Sequence, residues 1–178
     1  MSLYLYEIVP TASARPETEK LLSAFDTAAR TAGAELIESQ VTGSLDRVFA
    51  VVEAEDDTVL GSALNTKRLP EVAELSGPHL VRLVGAELAD VKAARPEAGY
   101  LVEWDFPADL DMDTYLANKK AKAPKYAEVP EVTFLRTYVR EDMAKCLCFY
   151  DAPDEDVVRK ARDVVSTPVD RLHTLDRG

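Results

Sequence analysis

Leu3–Val9 (LYLYEIV) is rich in β-forming residues and stops at Pro10, which predicts a first strand. Apolar residues then recur at Leu21, Leu22, Phe25, Ala28, Ala29 and Ala32, a helical spacing. Ser13 is placed to cap that helix, Pro16 lies near its first position, and Gly33 ends it. Ala34–Thr42 alternates as a second strand, Gly43–Asp46 forms a hairpin turn, and the largely apolar Arg47–Ala54 reads as a central third strand. A short helix at Thr58–Leu64 follows. Asn65–Leu80, broken by Pro70, Gly77 and Pro78, reads as a short helix between loops, and Val81–Leu88 as the fourth strand.

The order then begins again. Tyr100–Phe106 reads as a strand, Met112–Ala121 as a helix capped by Asp111 or Asp113, and Val132–Asp151 as two strands around a polar turn. A helix over Asp154–Val165 and a strand over Val169–Leu175 complete it. The residues repeat as well as the elements. YLYE at Tyr4–Glu7 matches YLVE at Tyr100–Glu103, and Ser39–Leu60 lies without gaps on Thr137–Val158, a constant offset of 137 − 39 = 158 − 60 = 98. Each half follows the ferredoxin-like βαββαβ pattern. The expected fold is therefore α+β, with a first unit at 1–88, a linker at 89–99 and a second unit at 100–178. A sheet with helices on one side leaves its other face bare. Two such units can cover each other in an intramolecular arrangement like a dimeric α/β barrel; the alternative is a homo-oligomer.

Strand alternation sorts the second unit by face. If the apolar positions sit under the helices, Glu103, Arg136, Tyr138, Cys146, Cys148, Tyr150, Arg171 and His173 share the helix-free face. In that arrangement Glu103 is the candidate general base, with Tyr138 or His173 as the acid, and Arg136, Cys148, Tyr150 and Arg171 are candidate ligand-binding residues. The matching third-strand positions of the first unit, Val48, Ala50 and Val52, are apolar, which points to the second unit as the site-bearing half. Cys146, Cys148 and His173 form an alternative set of soft metal ligands. Same-facing strand cysteines sit about 6.5–7 Å apart at Cα, so other strands would have to complete such a site. The lysines from Lys119 to Lys125 read as a solvated helix end or as a patch that steers anions.

Composition narrows the partners. The formal net charge is −11, from 32 acidic against 21 basic residues, which argues against a nucleic-acid partner. No apolar run is long enough to span a membrane. With two cysteines expected as free thiols, the chain reads as a soluble cytoplasmic protein.

YLVE at Tyr100–Glu103, TYV at Thr137–Val139 and CFYDAPDEDVV at Cys148–Val158 resemble a small ferredoxin-like family of mostly unassigned function whose named prototype binds nickel. The resemblance implies the same fold and nickel binding; no cofactor is assigned to the chain, with a transition metal, nickel or zinc, as the alternative. Where many relatives carry histidines, in the second strand and the final helix, this chain has Arg136 and the run Arg159-Lys160-Ala161. Three functions are open: a small-ligand-binding α+β barrel protein of unassigned specificity with its site in the second unit, which as an enzyme would act on a small organic molecule without organic cofactor; a nickel- or other transition-metal-binding protein; or a non-catalytic oligomeric binding module.

Overall fold

A computed structural model describes residues 1–94 and 97–176. The chain divides into two compact units. One comprises Met1–Val81 with the segment that begins at Leu88; the other comprises Arg82–Glu87 with the segment that begins at Glu97.

The first unit contains β1 (Ser2–Pro10), α1 (Arg15–Thr31), β2 (Glu35–Val41), β3 (Val48–Ala54), α2 (Asp57–Ala63), most of β4 (Val72–Val84) and α3 (Leu88–Ala94). Its strands lie in the order β2-β3-β1-β4, with antiparallel pairs β2/β3, β3/β1 and β1/β4. This is the ferredoxin-like order. Leu21, Phe25 and Ala29 of α1 and Leu60 of α2 pack on Tyr4, Tyr6, Ile8, Val48, Ala50 and Val52 of the sheet. Ala14, with no capping side chain, precedes α1 in place of the expected Ser13, whereas Asp56 caps α2 by accepting from the Thr58 and Val59 amides.

Two segments differ from expectation. Val72–Leu80 belongs to a thirteen-residue strand and not to a helix between loops. Gly77 and Pro78, joined by a cis peptide, sit where the register against β1 shifts between Leu5 and Glu7. An irregular ladder tolerates a proline that a regular one would exclude. A Cβ on Gly77 would lie 2.6 Å from the Leu5 carbonyl oxygen, so glycine is what lets the strands approach here. The expected linker begins as α3, whose Lys92 pairs with Glu53 at 2.8 Å and Glu35 at 3.2 Å. Arg95 and Pro96, also placed in that linker, lie outside the described residues.

The second unit contains β5 (Tyr100–Asp105), α4 (Met112–Lys122), a 3-10 turn (Ala123–Glu128), β6 (Thr133–Arg140), β7 (Lys145–Asp151), α5 (Glu155–Val164) and β8 (Arg171–Thr174). Its strand order, β6-β7-β5-β8, follows the same plan, with antiparallel pairs β6/β7, β7/β5 and β5/β8. Asp111 and Asp154 cap α4 and α5.

Fine details recur at the sequence offset. The β2/β3 register shifts between Leu36 and Glu38, and the β6/β7 register between Phe134 and Arg136. Both hairpin turns hold a non-glycine residue in the left-handed region, Leu45 at φ 60° and Met143 at φ 59°.

The facing of β7 is the main correction. Cys146, Cys148 and Tyr150 lie under the helices, with Val102, Val139, Tyr115, Val158 and Ala161. Leu147 and Phe149 lie on the opposite face, paired with Glu103 and Leu101 of β5. Assigning the apolar set to the helix side fails because both faces of this strand are buried, so hydrophobicity no longer distinguishes them. The bulge at Leu135 also moves Phe134 to the helix side while Arg136 and Tyr138 stay on the other.

Candidate functional site

The residues expected at one site fall into two groups on opposite faces of the second sheet. On the helix-free face, Glu103 is fully buried and accepts three hydrogen bonds or ion pairs. Lys145 Nζ lies 2.6 Å from Oε1, and Arg171 Nε and His173 Nε2 lie 2.9 and 2.7 Å from Oε2. Arg171 also donates to both Asp105 oxygens, at 3.0 and 2.6 Å. Burial opposes ionisation of Glu103, but His173, Lys145 and Arg171 together hold its carboxyl well below the usual carboxylate range. A carboxylate so held is a weak base whose oxygens are already occupied. Arg136 and Tyr138, both buried, meet at the ring of Phe149 (4.8 Å from the guanidinium carbon, 5.9 Å between ring centroids). Lys145 was not anticipated; its signal is its alternation with Leu147 and Phe149, which puts it on the Glu103 face.

On the helix side, Cys146, Cys148 and Tyr150 meet Arg162 of α5, a residue that strand alternation does not point to. Its Nη1 donates to Tyr150 Oη at 3.1 Å and lies 3.6 Å from Cys148 Sγ; its Nη2 donates to the Pro168 carbonyl at 2.7 Å. Arg162 Nε is buried without a hydrogen-bond partner. Among the described residues no carboxylate pairs with this guanidinium. Thr137 Oγ1 donates to Cys148 Sγ at 2.9 Å, and the Cys146 and Cys148 sulfurs are 3.8 Å apart. The Tyr126 and Tyr150 hydroxyls share a 2.7 Å hydrogen bond.

These contacts set the ionisation of the cluster. The hydrogen bond from Cys146 holds the Cys148 thiol well below its ordinary value; burial opposes this, and Arg162, Lys119 and Thr137 add to the lowering. Burial, with the hydrogen bond to Cys148, pushes Cys146 up. Burial likewise keeps Tyr115, Tyr126 and Tyr150 protonated.

Arg162 forms part of the wall of a cavity of about 80 Å³. Trp104, Tyr115, Tyr126 and Phe134 supply aromatic walls, with Tyr126 and Phe134 stacked at 5.7 Å and 9°. Lys119 lies 4.1 Å over the Phe134 ring, and Lys122 also lines the cavity. Part of the lysine run therefore borders this pocket. Arg162 was detectable in the sequence: Val158, Ala161, Arg162 and Val165 follow i, i+3, i+4, i+7, so an arginine occupies the inward stripe of an amphipathic helix. At the same offset the first unit has Leu64 for Arg162, Ala50 for Cys148 and Val52 for Tyr150, all in an apolar core. The fold therefore does not require the polar cluster.

Known proteins can be set against this geometry. Residues 100–175 match the family described as nickel responsive protein SCO4226-like. SCO4226 of Streptomyces coelicolor A3(2) is 12% identical, and the alignment covers 46% of this chain and 99% of that one with a TM-score of 0.39. Over 99% of this chain and 95% of the other, the structure resembles a putative chlorite dismutase, TA0507, at 12% identity and a TM-score of 0.59, a likeness of fold. No curated protein matches.

The name of the SCO4226-like family raises nickel, and the described residues do not fit it. The candidate ligands Cys146 and Cys148 lie under the helices, while His173 lies across the sheet, bound to Glu103. Among the described residues no group of three or more His, Cys, Asp or Glu side chains converges to hold a metal. Also among the described residues, no helix is long and apolar enough to cross a membrane.

Proposed function

We propose that this chain is a small-ligand-binding protein of the tandem ferredoxin-like, α+β-barrel class, and that its second unit takes a small organic anion in the cavity beside Arg162. One observation carries the reading: a buried guanidinium with an unpartnered Nε and no carboxylate forms part of a cavity wall. A buried charge without a full set of partners is costly, and a fold seeking stability alone would use an apolar residue there. The first unit does so with Leu64. Aromatic walls supply apolar contact, and Lys119 and Lys122 at the cavity favour negative charge. Two unbridged thiols 3.8 Å apart fit a reducing compartment such as the cytoplasm.

This reading moves the site from Glu103, Tyr138 and His173 to Arg162 and its neighbours. Glu103, held between Lys145, Arg171 and His173, serves as a structural anchor. The test is a thermal-shift screen with small organic acids, amines and nickel, since a ligand of the native state raises apparent stability. Aromatic acids such as benzoate are expected to raise the melting temperature in the parent and not in Arg162→Leu. A shift by nickel or amines alone would refute the proposal.

A further inference from the structure

We propose that Cys148 acts as the resident counter-ion of Arg162, and that a bound monoanion takes over that role while Cys148 takes up one proton. This inference rests on the cavity being an anion site and adds how its charge is managed. The geometry places Cys148 Sγ on the Arg162 guanidinium, which also helps to wall the cavity, so thiolate and ligand address one cation. With the ligand absent, Arg162 and a Cys148 thiolate form a neutral pair. With a monoanion bound, thiolate and ligand together would put two negative charges on one guanidinium at low dielectric. Protonation of the sulfur restores neutrality: the sulfur lone pair takes one proton from solvent, no other bond is made or broken, and no oxidant is needed.

The surroundings of Cys148 leave this sulfur as the group that titrates. Tyr150 and Cys146 flank it on β7, and Thr137 donates from β6. Arg162 faces it from α5, Tyr115 and the Lys119 charge from α4, and Tyr126 from the 3-10 turn. Burial raises the three tyrosines and Cys146, so they remain protonated, while both cations favour the thiolate. The consequence is selectivity by charge. One proton neutralises one added negative charge, so the site takes a flat monoanion in preference to a dianion of the same shape. Where free Cys148 is ionised and bound Cys148 is not, affinity falls about tenfold for each unit rise in pH.

Two measurements test this on the full chain. Thiolate absorbance in the ultraviolet, followed against pH without ligand, is expected to show one thiolate at neutral pH. It should persist in Cys146→Ser, disappear in Cys148→Ser, and shift to higher pH in Arg162→Gln. A parent without a neutral-pH thiolate overturns the proposal. Titration calorimetry with benzoate, in two buffers of different ionisation heat, is expected to show uptake of about one proton per benzoate. In Cys148→Ser, which keeps the arginine, benzoate should bind with no proton uptake and no such pH slope. Benzoate that binds the parent without proton uptake overturns the exchange and leaves the anion site standing. Benzoate and other small acids that fail to bind refute the anion site itself, and the exchange with it.

Discussion

Replacing Glu103 by glutamine distinguishes an anchor from a general base, because it keeps the shape and removes the charge. Two cations, Lys145 and Arg171, and the His173 ring lose a shared partner, unequally. Lys145 is only 12% exposed, and breaking a buried ion pair by removing one partner costs up to about 3–5 kcal/mol. Arg171 is 41% exposed and keeps Asp105, so its share is at most about 1 kcal/mol. The glutamine oxygen still accepts a hydrogen bond, recovering about 1 kcal/mol. The net expectation is a loss of about 3 kcal/mol, a large part of the roughly 5–15 kcal/mol that holds a domain together. Trp104, the only tryptophan, lies in the second unit, so its fluorescence during urea unfolding reports on the right part of the chain. The midpoint should fall with little change in slope. A loss below about 1 kcal/mol would refute the reasoning, because Lys145 would then reach water without help from Glu103.

Acid should act through the same carboxylate. Its folded value is depressed, so its contribution is complete above about pH 4.3 and is lost as the pH falls through that folded value. Unfolding free energy measured against pH should slope in the parent over this range and slope less in Glu103→Gln, where Asp105 and Asp111 still contribute. Arg162→Leu, which copies Leu64, should stay within about 2 kcal/mol of the parent by urea unfolding, because a buried charge gives way to an apolar residue, while the benzoate shift disappears. Gly77→Ala should cost about 2–4 kcal/mol in the same assay: a Cβ would lie 2.6 Å from backbone, at φ 127°. Asp154→Ala should cost about 1 kcal/mol through the lost cap at Val157.

Much of the architecture was legible because strands and helices carry different periods and because the residues repeat. Tyr4–Glu7 and Tyr100–Glu103 lie on the matching strands β1 and β5. Facing was legible only where the two sides of a strand differ in polarity. It held for Glu103, Arg171 and His173 and failed for Cys146, Cys148 and Tyr150, whose strand is buried on both sides. Leu135 adds a bulge that no residue type announces. The pairing of Glu103 with Lys145 needed the register of β5 against β7. Arg162 is legible only in the helical stripe of α5, because strand alternation carries no signal for a helix residue.

The matched bulges and turns bear on how the chain reaches its native state. Two hairpins of nearly one blueprint lie in one polypeptide, each with its kink at the same step and its left-handed residue at the same corner. Each half therefore offers the other a strand partner of nearly native shape, and misassembly between similar neighbours is a characteristic hazard of repeated sequences. The distinct cores oppose this exchange. An Arg162 carried into the first core would take the place of Leu64, among Phe25 and Leu60, with Ala50 and Val52 standing where Cys148 and Tyr150 meet it in its own half. The polar cluster thus also acts as an address label, directing each hairpin to its own half.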